Sequence, residues 1–239
     1  MNKGTKKTLL WISLFALAMG FLETSVVVYL REIYYPNGFQ FPLVIIPNKI
    51  ALVEFWREIA TIIMLLGAGI IAGKTKLSRF AYFIIAFAVW DIFYYIFLYL
   101  LLQWPQSLFT WDILFLVPIP WTGPVIAPCI VSFGMIVFGV ILIYFTEKNV
   151  KIKISFSNWL ILLSGVLVIL SSFMWDYVSV TYHNHQGFWT INSHSNLFEE
   201  IKMYVPTKFN WLAFHAGTWI CVGGMIISFR NFKKQITNP

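Results

Sequence analysis

Six apolar runs, at about residues 9–30, 50–73, 79–102, 124–146, 157–178 and 210–229, take up most of this chain. Roughly 20 consecutive apolar residues, wound as a helix, match the hydrocarbon thickness of a bilayer. Inside lipid such a run must close its backbone hydrogen bonds within itself, which a helix does. The sequence therefore predicts an all-α polytopic integral membrane protein. Its six-helix transmembrane bundle forms a single domain over residues 1–239, with no stretch left for an independent soluble unit. A hydrophobic fraction of 59% with only 11% charged residues excludes an ordinary soluble domain. The first apolar run follows Lys3, Lys6 and Lys7 and lacks a small-residue cleavage site, so it reads as a spanning helix and not a cleaved leader.

Charge sorts by loop. Twelve of the seventeen basic residues fall before the first run, between the second and third, between the fourth and fifth, and after the sixth. Of the ten acidic residues, only Glu147 shares those loops. The positive-inside rule then puts both termini in the cytoplasm. The net charge of +7 is a topology signal on short flanks and predicts no nucleic-acid partner. The partner it predicts is the lipid bilayer, in a style that suits a bacterial inner membrane. Cys129 and Cys221 both fall inside apolar runs, where they read as small buried hydrophobes and not as a disulfide.

The extracytoplasmic connections run from Arg31 to Lys49, Gln103 to Gly123 and Asp176 to Phe209. In the second, the string Pro118-Ile119-Pro120-Trp121-Thr122-Gly123-Pro124 must interrupt a helix. Residues 107–117 before it read as a short interfacial or re-entrant helix, with Ser107 as N-cap. In the third, over the loop 179–209, Leu197, Phe198, Ile201 and Val205 take helical spacing, as in a helix lying on the membrane surface. Gly69-x-x-x-Gly73 predicts close helix packing near the basic end of the second run.

Ionisable residues inside the runs carry the functional signal. Glu23 lies roughly 12 Å below the outer end of the first run at ~1.5 Å per residue. Glu54, Arg57 and Glu58 share one face of the second at i, i+3 and i+4. Asp91 sits deep in the third, with Tyr94 and Tyr95 one turn further out, and His215 lies in the sixth. Glu23, Glu58, Asp91 and Arg57 are the expected catalytic set. Glu54, Tyr94, Tyr95, Asp112 and His215 are expected to bind ligand or to rim the cavity. Glu23, Glu54, Glu58 and Asp91 set four acids against one base. Protonation of some, or a bound divalent cation, would balance that charge. His183 and His185 form a weak candidate metal pair if the chain is extended there, since alternate residues of a strand share a face. Histidines in a solvated loop are the plainer account.

No zinc-protease, nucleophile-elbow, Walker or dinucleotide-binding pattern is present. Three readings follow. One is a membrane enzyme or ligand-binding protein that uses a one-sided, carboxylate-rich cavity on an amphipathic, lipid- or quinone-like substrate. Another is a non-catalytic membrane subunit or assembly scaffold whose polar network is structural; the sequence names no protein partner for it. The third is a proton- or cation-coupled transporter. The cytoplasmic halves of the runs are poor in polar groups and no inverted repeat is evident, which argues against transport.

Overall fold

A computed structural model describes residues 1–44, 46–115, 119–148, 151–185 and 204–237, with side chains of the fourth stretch described to residue 180. Six helices are long and apolar enough to cross a membrane. They are α1 (Lys3–Tyr34), α2 (Asn48–Ala72), α3 (Lys76–Leu102), α4 (Ile126–Lys148), α5 (Phe156–His185) and α6 (Trp211–Thr237). Large apolar side chains cover the outside of the bundle, Ile71 at 88% exposure among them, as a lipid-facing surface requires.

Local chemistry sets several helix ends. Asn2 caps α1 by accepting from the N–H of Thr5 at 2.8 Å. Thr75 and Ser78 form a reciprocal capping box at the start of α3. Gln103 ends α3 in the left-handed conformation, with φ 51°. Polar flanks stay helical past the apolar runs, so α1 begins at Lys3 and α6 continues to Thr237.

α3 lies at the centre of the first four helices and packs against α1, α2 and α4. Gly69 permits the closest α2–α3 approach, because a Cβ there would lie 2.7 Å from the backbone nitrogen of Phe83. α5 and α6 form a pair of their own. A Cβ on Gly217 would meet the carbonyl of Gly165 at 2.8 Å, so the two backbones nearly touch. The pair joins the rest through slighter α4–α6 contact and through a strand against α5.

The two ends of the bundle differ in character. At the basic end, the Asn2 backbone N–H donates to Glu147, and Lys153 pairs with Gln235. The main apolar core fills this half, with Ile12, Ala16, Leu65, Ile85, Leu142 and Phe232 among its members.

The acidic end carries a finding that overturns an expectation. Residues 107–115 are not helical, and 116–117 lie outside the described residues. Trp111–Phe115 (β1) pairs antiparallel with Trp121–Pro124 (β2), with a register irregularity between Ile113 and Phe115. Val125 N–H to Thr110 O at 3.1 Å and Ile126 N–H to Leu108 O at 2.8 Å continue the closure toward α4. Either arrangement pairs backbone groups at membrane depth; strand pairing does so on both sides of the proline-rich string, which a helix could not continue through.

Three further expectations change. Arg31 belongs to the last turns of α1 and is not the first residue of a loop. The backbone is helical through His185, so His183 and His185 do not sit on an extended strand. Residues two apart on a helix point to opposite sides, which removes the premise of a shared ligand face. Their side chains lie outside the described residues, as does most of the expected surface helix at 196–203; from Tyr204 to Asn210 the chain is non-helical.

Candidate functional site

α1 and α2 meet through charge. Arg57 forms an ion pair with Glu23 of α1, and its Nε donates to Glu54 Oε2 at 2.7 Å. The i, i+3 spacing brings Glu54 to Arg57, and the shared helical face turns both toward α1. Thr61, one turn beyond Arg57, contributes a long hydroxyl contact to Glu23 Oε2 at 3.5 Å. The three charged side chains retain 11–21% exposure, so the triad is largely withdrawn from its surroundings. Glu58 is half-buried on the same helix.

A second ion pair lies at the top of α1. Arg31 Nη2 stands 3.4 Å from Asp112 Oδ1, with both side chains under 10% exposed. The guanidinium also lies over the rings of Trp104 at 3.8 Å and Phe39 at 4.4 Å. Ring faces are negative, so this setting offsets part of the cost of burying a cation. Burial pushes the Asp112 carboxyl up to about 6, against the pull of Arg31, the Ile113 N–H and the Tyr95 hydroxyl. The hairpin positions Asp112, which faces Gly123 across the two strands.

Asp91 takes a third environment. Ser132 of α4 donates to its Oδ2 at 2.8 Å, and no cation pairs with it among the described residues. Tyr95 lies within electrostatic reach of both Asp91 and Asp112. Tyr94 lies within electrostatic reach of both the Arg31–Asp112 and the Glu23–Arg57 pairs. The hydroxyl of Thr24 donates to the backbone carbonyl of Tyr94 at 3.1 Å, which ties α1 to this part of α3.

Glu23, Glu54 and Arg57 are thus in direct contact. Asp91, Tyr95 and Asp112 form a neighbouring set, and Tyr94 is within electrostatic reach of both groups. His215 is apart from both. It is exposed on α6 and stacks on Trp211, with ring centroids 5.6 Å apart. Among the described residues, no group of three His, Cys, Asp or Glu side chains could hold a metal ion.

Arg31 is the residue that sequence reasoning missed. A signal existed, for Ala16, Gly20, Thr24 and Arg31 form one buried stripe at helical spacing. Asp176, the expected start of the third connection, lies within α5, and its place is specific. It accepts hydrogen bonds from the Tyr204 hydroxyl, the Thr207 hydroxyl and the backbone N–H groups of Thr207 and Lys208.

No protein-family model, curated protein or solved structure matches this chain.

Proposed function

We propose that this multi-pass membrane protein binds an amphipathic, lipid- or quinone-like molecule in its acidic half and acts on it as an enzyme or a ligand-binding protein. Glu23, Glu58 and Asp91 are the groups that exchange protons or face the ligand's polar part, and Arg57 holds their charge in balance. The sorting of basic residues favours the bacterial inner membrane, with the basic end in the cytoplasm. The observation that carries the reading is Asp91, a carboxyl inside a spanning helix whose partner is a hydroxyl rather than a cation. Such a group is free to take or give a proton. The carboxylates set within the spanning runs gather on one side, and an apolar core fills much of the basic half. A transport pathway needs polar groups through both halves.

The test is to purify the protein from its native membrane and analyse the organic extract by mass spectrometry. Wild-type protein should carry a stoichiometric amphipathic molecule, and folded Glu23→Gln and Asp91→Asn variants should lack it. Equal content in all three, or none in the wild type, overturns the reading.

One observation favours a second reading, a non-catalytic subunit whose polar network is structural. α2 packs mainly on α3, so the Glu23–Arg57–Glu54 triad is the chief polar tie between α1 and α2. Full function of both amide variants in the native organism would select it.

A further inference from the structure

Three lysines converge at the basic end. Lys151 and Lys153, from the connection between α4 and α5, and Lys234, near the end of α6, line a cleft of about 760 Å3 with Ser155, Asn231 and Gln235. Topology asks for positive charge near this end but not for convergence.

The convergence has a structural cause. The Gln235 side-chain carbonyl accepts from the backbone N–H of Lys153 at 3.0 Å, and its amide donates to the carbonyl of Lys153 at 2.9 Å. That reciprocal pair fastens the connector to α6 and fixes the spacing between Lys153 and Lys234. Ile152 and Phe232, the sequence neighbours of Lys151, Lys153 and Asn231, are both buried in one apolar cluster, which anchors the segments that carry the lining residues. Among the described residues, no carboxylate forms a salt bridge with Lys153 or Lys234. Clefts of roughly 300–1,000 Å3 are the size that holds a small molecule.

The surroundings select the kind of anion. Phe156, Leu160, Leu163 and Leu167 form an exposed apolar stripe on α5 that starts one residue past Ser155. An anion seated in the cleft therefore has a lipid-facing strip beside it for acyl chains.

We propose that this cleft binds the headgroup of an anionic phospholipid, with preference for one carrying two phosphates, such as diphosphatidylglycerol. Basic pockets between helices at a membrane surface suit such headgroups, because several ammonium groups meet the phosphates at once.

Native mass spectrometry of the full-length protein in detergent, titrated with defined lipids, tests this. Wild-type protein should retain diphosphatidylglycerol through delipidation and lose phosphatidylcholine. A double variant, Lys153→Gln with Lys234→Gln, should lower retention roughly tenfold, since each basic residue near the surface contributes to anionic-lipid attraction. Both side chains are exposed, so the fold tolerates the change. A control removes charge elsewhere at this end through Lys3→Gln, Lys6→Gln and Lys7→Gln, and should retain the lipid as the wild type does. Equal loss in the control would mean diffuse attraction and overturn the site. Complete displacement of the lipid by inorganic phosphate would mean a soluble-anion site and overturn the lipid assignment. Equal retention of phosphatidylcholine would overturn both.

Discussion

The hydroxyl of Tyr204 lies 2.6 Å from Oδ2 of Asp176 and 2.8 Å from Oγ1 of Thr122, so one phenol joins α5, the hairpin and the chain that enters α6. Asp176 accepts two hydroxyl and two amide donors from residues 204–208. A carboxylate that satisfies two backbone N–H groups outside a helix acts as a clasp on an otherwise irregular segment. Hydrogen bonds to a charged acceptor contribute about 1.5–3 kcal/mol each, though not additively. Asp176→Ala is expected to lower stability by roughly 3 kcal/mol or more, and Tyr204→Phe by about 1–2 kcal/mol. Denaturant unfolding in detergent measures both, and an unchanged Asp176→Ala midpoint would remove the clasp from the account.

Arg57 answers two carboxylates, which makes the cluster asymmetric under substitution. Arg57→Ala strands Glu23 and Glu54 together, and breaking such a pair costs about 3–5 kcal/mol. The yield of folded protein should fall sharply in that variant. Glu23→Gln and Asp91→Asn keep the shape and remove charge, so both should fold at wild-type yield and lose function. Arg57→Lys should recover only part of the yield, since a compact ammonium lacks the planar fork that spans both acids. Size-exclusion chromatography of the solubilised protein reads these outcomes.

Asp112 gives the acidic end a pH dependence of definite sign. Its folded carboxyl titrates near 6, above the ordinary 3.8, because burial opposes its charge. Between those values the folded state holds more protons than the unfolded one, so this group's contribution to stability declines as pH rises. Thermal unfolding should therefore shift upward as pH is lowered from about 7.5 to 5 in the wild type. Asp112→Asn should flatten that part of the profile. An opposite slope that disappears in Asp112→Asn would mean that the pair with Arg31 dominates.

Orientation is open to direct labelling. With both termini in the cytoplasm, a Lys76→Cys variant should react with an impermeant maleimide only after permeabilisation. Gln106→Cys, exposed beside the hairpin, should react in intact cells. The reverse pattern would invert the protein and place the carboxylates on the cytoplasmic side.

The six helices were legible because lipid leaves a long apolar run few alternatives, and the acids of the second run were legible because helical spacing puts 54, 57 and 58 together. The stretch from Trp111 to Phe115 was not. A short apolar run is compatible with helix or strand, and what settles it is pairing with residues beyond two prolines. Helix ends also escaped, because hydropathy marks where lipid stops and not where a helix stops. Arg31 shows the consequence: assigned to a loop, it could not be seen as the base that Asp112 meets.

The slight junction between α4 and α6 has a consequence for assembly. Every extensive interface of α1 to α4 is made within residues 1–148, and that of α5 with α6 within the remainder. A chain leaving the ribosome can thus finish its first block before the second exists. The later pair of helices is then expected to dock as a unit against the strand that α5 meets and the apolar core that Leu162 and Phe232 complete. Two separately expressed fragments, divided in the 149–150 linker, should reassemble in one membrane.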